Sequence, residues 1–229
     1  MSFALGLISY FWIVYAIKAA TYPIREEPLP SIIRWKKGHE FTILFSLDFW
    51  LANCYKNRIK QFDEGAIQQC LSRYIKSNNR WNVWLSLALL AILVLSNQFS
   101  RSSIFHETVA CACVIRYISR SYEISYAFGR DVLQEEESTS GLNKYDRVRL
   151  ALWSYLEIFV YSAAAYLAVY PSLGALLALS MSLRIGTLTD IGVAFNSGLG
   201  GEANLIFVQV FCTLSLVVLS LASYLSRKK

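Results

Sequence analysis

Charge is what this chain has least of for its size. Asp, Glu, Lys and Arg make up 17% of its 229 residues, hydrophobic residues make up 55%, and mean hydropathy is +0.38. A soluble domain carries more charge than that, and the balance fits a protein whose solvent is partly lipid. Histidine is nearly missing. His39 and His106 stand in no ligand pattern, and Cys111-Ala112-Cys113 has the wrong spacing for a zinc knuckle, so neither a metal site nor a cofactor is expected. No Ser-His-Asp set or carboxylate pair occurs at workable spacing, which argues against an enzyme. The five cysteines are scattered and odd in number, which argues against a disulfide framework. A net charge of +6 raises nucleic acid as a partner, yet in so apolar a chain basic loops facing anionic lipid are the simpler reading. The short start before the first apolar run holds no Lys or Arg and no small-residue cleavage site follows, so no removable signal peptide is expected.

What the chain does have is long apolar runs. Residues 3–20 predict a first transmembrane helix, ended by Pro23, Pro28 and Pro30. Residues 81–97 predict a second, opened by Trp81 and Trp84 at interface depth. A third, over about 104–128, is weaker because Glu107, Arg116, Arg120 and Glu123 interrupt it, and its charged half is expected near the interface. A voltage sensor carries several basic residues at three-residue intervals; here there are two, four apart. Snorkelling, or pairing with Glu123 or Glu157, is the expectation for Arg116 and Arg120, with Glu157 as a partner inside the bundle.

Between the first two spans the texture changes. Phe41–Cys54 is apolar, too short to span, and carries Asp48. Ile59, Phe62, Ala66, Ile67, Cys70, Leu71, Tyr74 and Ile75 then recur at helical intervals, with basic and acidic residues opposite. Cytoplasmic amphipathic helices over about 40–78 are expected, lying on the membrane surface or on neighbouring helices, with a partner-binding role as the other reading. A polar stretch with Glu135-Glu136-Glu137 predicts a linker over 133–147, separating an N-terminal membrane region (1–132) from a second unit (148–229). That unit reads as a fourth span to Tyr170 closed by Pro171, a shorter helix over 173–186, a polar strip, a turn over 196–201, and a fifth span over 203–226. The fold expected is an all-α membrane protein of about five transmembrane helices, with a re-entrant pore helix and filter loop between the last two.

The basic residues orient it. Lys and Arg number 11 over 18–80, 4 over 130–149 and 3 in the tail, so 18 of 22 fall on one side of the five spans. That side is assigned to the cytoplasm, giving a multi-pass protein of the cell inner (plasma) membrane with its C-terminus cytoplasmic and its N-terminus outside. The polar strip then lies on the outer side.

Six of the eleven glycines lie between Gly174 and Gly201, around the strip Thr187-Leu188-Thr189-Asp190-Ile191-Gly192-Val193-Ala194-Phe195. Irregular backbone at membrane depth survives only when buried in protein or lining a watery cavity. Thr187 to Gly192 resembles the potassium-channel filter run Thr-Leu-Thr-Thr-Ile-Gly, with Asp190 where that family has its last threonine. Residues from about 116 to 226 are similar to the pore half of small bacterial two-transmembrane potassium channels. The run Arg147 to Ile158 resembles the start of their outer helix, and Gln209, Leu214, Leu216 to Leu219 and Tyr224 fit their inner helix. The first 115 residues carry no such motif.

The resemblance implies a homotetrameric cation channel in the lipid bilayer, with four strips around one axis. Thr187, Thr189, Asp190, Ile191, Gly192, Val193 and Ala194 would form the selectivity filter, and a permeant monovalent or divalent cation would be its ligand. Arg184, Phe195 and Glu202 would support the filter or line its outer mouth. The family continues Tyr-Gly-Asp where this chain reads Val193-Ala194-Phe195, so the ring that props the filter and its second glycine are both replaced. Alanine there costs on the order of 1 kcal/mol per chain in a left-handed geometry. Asp190 either points four carboxylates at the axis, attracting sodium or divalent ions as readily as potassium, or pairs with Arg184 behind the filter. Glu202 reads as a solvated residue at the mouth or as an ion funnel. The rival to conduction is a non-conducting pore-fold scaffold or sensor that acts through a cytoplasmic partner at residues 31–80.

Overall fold

Apolar runs without Gly or Pro have one way to satisfy their backbone in lipid, and each becomes a helix. The computed structural model describes residues 1–23, 46–60, 67–99, 103–133, 141–192 and 203–226. Among them are seven α-helices and no strand. They are α1 (Ser2–Ala20), α2 (Leu47–Ile59), α3 (Ile67–Phe99), α4 (Ile104–Leu133), α5 (Lys144–Val169), α6 (Ala175–Gly186) and α7 (Ala203–Ser226). Three are long and apolar enough to cross a membrane: α1, α3 and residues Tyr145–Val169 of α5. The remaining apolar segments, α6 and Asn204–Leu219 of α7, are shorter.

The central helix, α4, is not one of these three. α4 packs against α1, α2, α3, α5 and α7, so its side chains face protein on two sides. On one face Cys113, Tyr117 and Ile124 join the main core with Leu93 of α3, Tyr161 of α5, Met181 of α6 and Cys212 of α7. The Tyr117 hydroxyl donates to the Leu205 carbonyl at 3.0 Å, tying α4 to α7. On another face Arg116, Ser119, Arg120 and Glu123, at helical spacing, are buried too. One core therefore draws on residues from both sides of the 133–147 stretch, of which 134–140 lie outside the described residues.

Two boundaries differ from the sequence expectation. α3 runs unbroken from Ile67 to Phe99, merging the amphipathic segment with the second span. Nothing in those residues stops a helix, since neither Gly nor Pro occurs there. Trp81 and Trp84 stay exposed on its outer side. α2 rests on neighbouring helices: Phe49, Trp50, Leu51, Tyr55 and Ile59 are all buried, and α1, α3 and α4 cover it. The Ser46 hydroxyl caps α2 by accepting from the Phe49 N–H at 3.1 Å. Residues 40–45 and 61–66 of the expected amphipathic stretch lie outside the described residues. α5 starts at Lys144, four residues before the expected Val148, because Asn143 and Asp146 form a reciprocal capping box. Before α6 the chain turns through Pro171–Leu173 and Gly174, whose φ of 72° suits glycine.

α1 lies against α4 through Gly6. A Cβ at that position would stand 2.8 Å from Cys111 Cβ and 3.2 Å from the Thr108 carbonyl. Gly6→Val is expected to lower stability by about 1–3 kcal/mol through overpacking. Thermal unfolding of the detergent-solubilised protein checks this, and adding Cys111→Gly should recover part of the loss.

Candidate functional site

Two polar features stand out in so apolar a chain: a cluster of ionised side chains inside the bundle, and the strip after α6. The cluster is a run of alternating sign. Arg116 pairs with Asp48, Asp48 with Lys18 (3.4 Å), Lys18 with Glu123 (3.4 Å), Glu123 with Arg120 (2.5 Å), and Arg120 with Glu157 (2.5 Å). Four helices contribute, and three bases face three acids. Arg116, Asp48, Lys18 and Glu157 are each at most 1% exposed, so these charges have left water and depend on one another.

Local structure explains who stands where. Lys18 lies in the last turn of α1 and Asp48 in the first turn of α2, so each charge opposes its helix dipole. α4 supplies Arg116, Arg120 and Glu123 one turn apart. Neutral groups accept further bonds from the two arginines, while the buried Asn82 Nδ2 has no hydrogen-bond partner. Arg116 donates to Asn82 Oδ1 at 2.7 Å and to the Tyr161 hydroxyl at 3.1 Å. Arg120 donates to both oxygens of Glu157, at 2.5 and 3.0 Å, and to Asn79 Oδ1 at 3.4 Å. Asn79 in turn donates to the Leu150 carbonyl of α5 at 3.2 Å. Tyr10 lies within 2.6 Å of Ser119 Oγ and donates to Asp48 at 3.4 Å. Beside the cluster, loss of hydration pulls the Lys56 ammonium of α2 down to about 8, against the opposing pull of Glu123.

The strip is exposed and closes on its own helix. The N–H groups of Thr187, Leu188 and Thr189 donate to the carbonyls of Leu183, Ile185 and Arg184 at 2.9, 3.0 and 3.0 Å. The Thr187 hydroxyl donates to the Leu183 carbonyl at 2.8 Å and lies 2.9 Å from the Thr189 hydroxyl. The left-handed residue here is Leu188, at φ 60°, and Gly192 does not share that geometry. Arg184 Nη1 and Asp190 Oδ2 stand 3.6 Å apart, their side chains 51% and 46% exposed. Ile191 packs on the main core. Val193, Ala194, Phe195 and Glu202 lie outside the described residues.

α6 itself is pinned between α5 and α7. Ser182 Oγ is 2.6 Å from Ser162 Oγ and donates to the Phe159 carbonyl at 2.7 Å. Gln209 of α7 donates to the Ser182 carbonyl at 2.8 Å and accepts from the Tyr166 hydroxyl at 2.6 Å. Gly186 lets Gln209 approach, since a Cβ there would lie 2.9 Å from its Nε2.

The structure thus brings Arg120 to Glu157 and Arg184 to Asp190, while Arg116 goes to Asp48. The sequence marks Asp48 only as an acid inside an apolar run and gives Lys18, Asn79 and Asn82 no role. A lysine closing an apolar span and an aspartate inside an apolar run were the available signals, because each needs a buried counter-charge. No family model, curated protein or solved structure matches the chain. The site is read from its own chemistry: the cluster clasps α1, α2 and α5 onto α4, and the strip offers two hydroxyls and a carboxylate outward.

Arg120→Met would leave Glu123 and Glu157 without their main counter-charge, and about 3–5 kcal/mol of stability should be lost. The double variant Arg120→Met/Glu157→Met should be more stable than the sum of the two single losses by at least ~1 kcal/mol. Unfolding curves of the four proteins measure the coupling, and strict additivity would refute the clasp.

Proposed function

We propose that this chain forms a homotetrameric cation channel in a cell membrane, with α5, α6 and α7 as outer helix, re-entrant pore helix and inner helix. The observation that carries the reading is a short helix pinned between two longer ones and ending in an exposed polar strip. Twelve residues make α6 about 18 Å long, well under the ~30 Å of a bilayer core, so it enters a membrane without crossing it. The order of elements and the Thr-Leu-Thr-x-Ile-Gly run favour the same reading. So do the exposed apolar side chains Leu176, Leu177 and Leu183 of α6 and Phe207, Phe211 and Leu214 of α7, which other copies or lipid would cover.

In this reading α4 and α7 also cross the membrane, giving five spans, and residues 187 to 194 form the filter. Conduction requires the strip's amides to release the α6 carbonyls they now bond, so that its own carbonyls face the shared axis. Asp190 is half exposed beside Arg184, so its carboxylate stays within reach of a cation. Four such acids favour sodium or divalent ions as readily as potassium. The ionic cluster fixes the outer helix to the N-terminal helices through Arg120 and Glu157, the route by which that region would act on the pore. No catalytic role is assigned.

The test is reconstitution into liposomes, with K⁺, Na⁺ and Ca²⁺ flux compared between the wild type and Asp190→Asn. A cation leak is expected, and Asp190→Asn should lower Ca²⁺ flux relative to K⁺ by about tenfold, the weight of roughly 1.4 kcal/mol at the ion site. Correctly assembled tetramers with no leak would replace the channel by the non-conducting scaffold. A monomeric or dimeric protein would sink both the ring and its filter.

A further inference from the structure

We propose that a groove between the first turns of α3 and the residues leading into α5 binds the phosphate of an anionic phospholipid headgroup. The groove has a volume of about 680 Å³ and is lined by Gln68, Ser72, Arg73, Lys76, Arg80 and Gly141, among others. Arg73, Lys76 and Arg80 follow one another at intervals of three and four, which sets them along one side of α3. Lys76 is committed: its Nζ lies 2.8 Å from Asp146 Oδ1, tying α3 to α5. Arg73 and Arg80 are exposed, and neither pairs with a carboxylate among the described residues. Two guanidinium groups with no acid partner among the described residues flank the groove, and Gln68 and Ser72 add neutral donors. That combination suits a phosphate, which guanidinium groups bind through paired N–H donors.

The groove's wall is close-fitting. Gly141, at φ 61°, passes so near α3 that a Cβ on it would stand 3.1 Å from Gln68 Cβ and from the Gln68 carbonyl. Its depth decides the source of the phosphate. Arg80 is followed directly by Trp81 and then Trp84, both exposed, and by the apolar stretch of α3. Exposed tryptophans mark the membrane–water boundary, which puts the groove in the headgroup layer just outside it. The charge asymmetry assigns that side to the cytoplasm, where anionic lipids collect.

The full-length protein is reconstituted into nanodiscs of phosphatidylcholine alone or mixed with phosphatidylglycerol, and bound lipid is read by native mass spectrometry after gentle release. Retained phosphatidylglycerol is expected for the wild type and for the control Lys60→Gln, an exposed lysine at the end of α2. The double variant Arg73→Gln/Arg80→Gln should bind it about tenfold more weakly or worse, from the loss of two surface cations. Arg73→Lys/Arg80→Lys, which keeps the charge, should retain most of the binding. Equal retention by the wild type and the glutamine variant would overturn the site. Retention of inorganic phosphate on the released protein, at matched ionic strength and undiminished by added phosphatidylglycerol, would overturn the lipid assignment.

Discussion

An ion stripped of its water inside a helix bundle must find a counter-ion or give up its charge, and the helices here are arranged around that requirement. Arg120 sits at the junction. It holds Glu123 on its own helix and Glu157 on α5, while Glu123 passes the connection on to Lys18 and Asp48. The helix that carries most of these charges is packed by five others, and its ionised face is turned away from the surroundings. Its polar face is lined by charges of both signs, and Lys18 of α1 stands between Asp48 and Glu123, 3.4 Å from each. The cost of dehydrating these groups is offset by mutual attraction, and removing one of them would strand its partner as a buried, uncompensated charge.

The second half of the chain uses neutral polar groups to the same end. Tyr166, Gln209, Ser182 and Ser162 form a buried relay across α5, α7 and α6. Lipid tails gain nothing from displacing one apolar helix by another, so hydrogen bonds and close approach decide which helices associate. Small residues make that approach possible: Ser162 and Ser182 touch, and Gly186 leaves room for the Gln209 amide. A short helix held on both sides has a fixed end, and the strip that leaves it begins from a defined place.

The helices were legible in the sequence wherever an apolar run was bounded by proline, glycine or a polar stretch. The last helix, Ala203–Ser226, covers the apolar run that the residues mark out between Gly200-Gly201 and the basic tail. The long α3 was not legible as one element, because a change from amphipathic to apolar texture looks like a boundary although the backbone has no reason to break. The partners in the cluster were half legible. That Arg120 and Glu157 need counter-charges follows from their setting. That Asp48 and Lys18 complete the set depends on α2 folding back beneath α1, which no local pattern encodes. The strip shows the opposite limit. Its letters suggest an extended filter, yet in one chain its amides satisfy the free carbonyls at the end of α6, the nearest acceptors available.

A continuous α3 makes one mechanical point. Thirty-three residues in a single helix form a rod about 50 Å long with no glycine or proline joint. Its outer portion carries the basic side chains at the rim, its middle carries Asn79 and Asn82 against the two central arginines, and its far end holds the Pro171 turn through Asn97. A stiff beam does not absorb a push by bending locally. Any tilt imposed at the rim is delivered as leverage on the arginines at mid-span and on the turn that introduces α6.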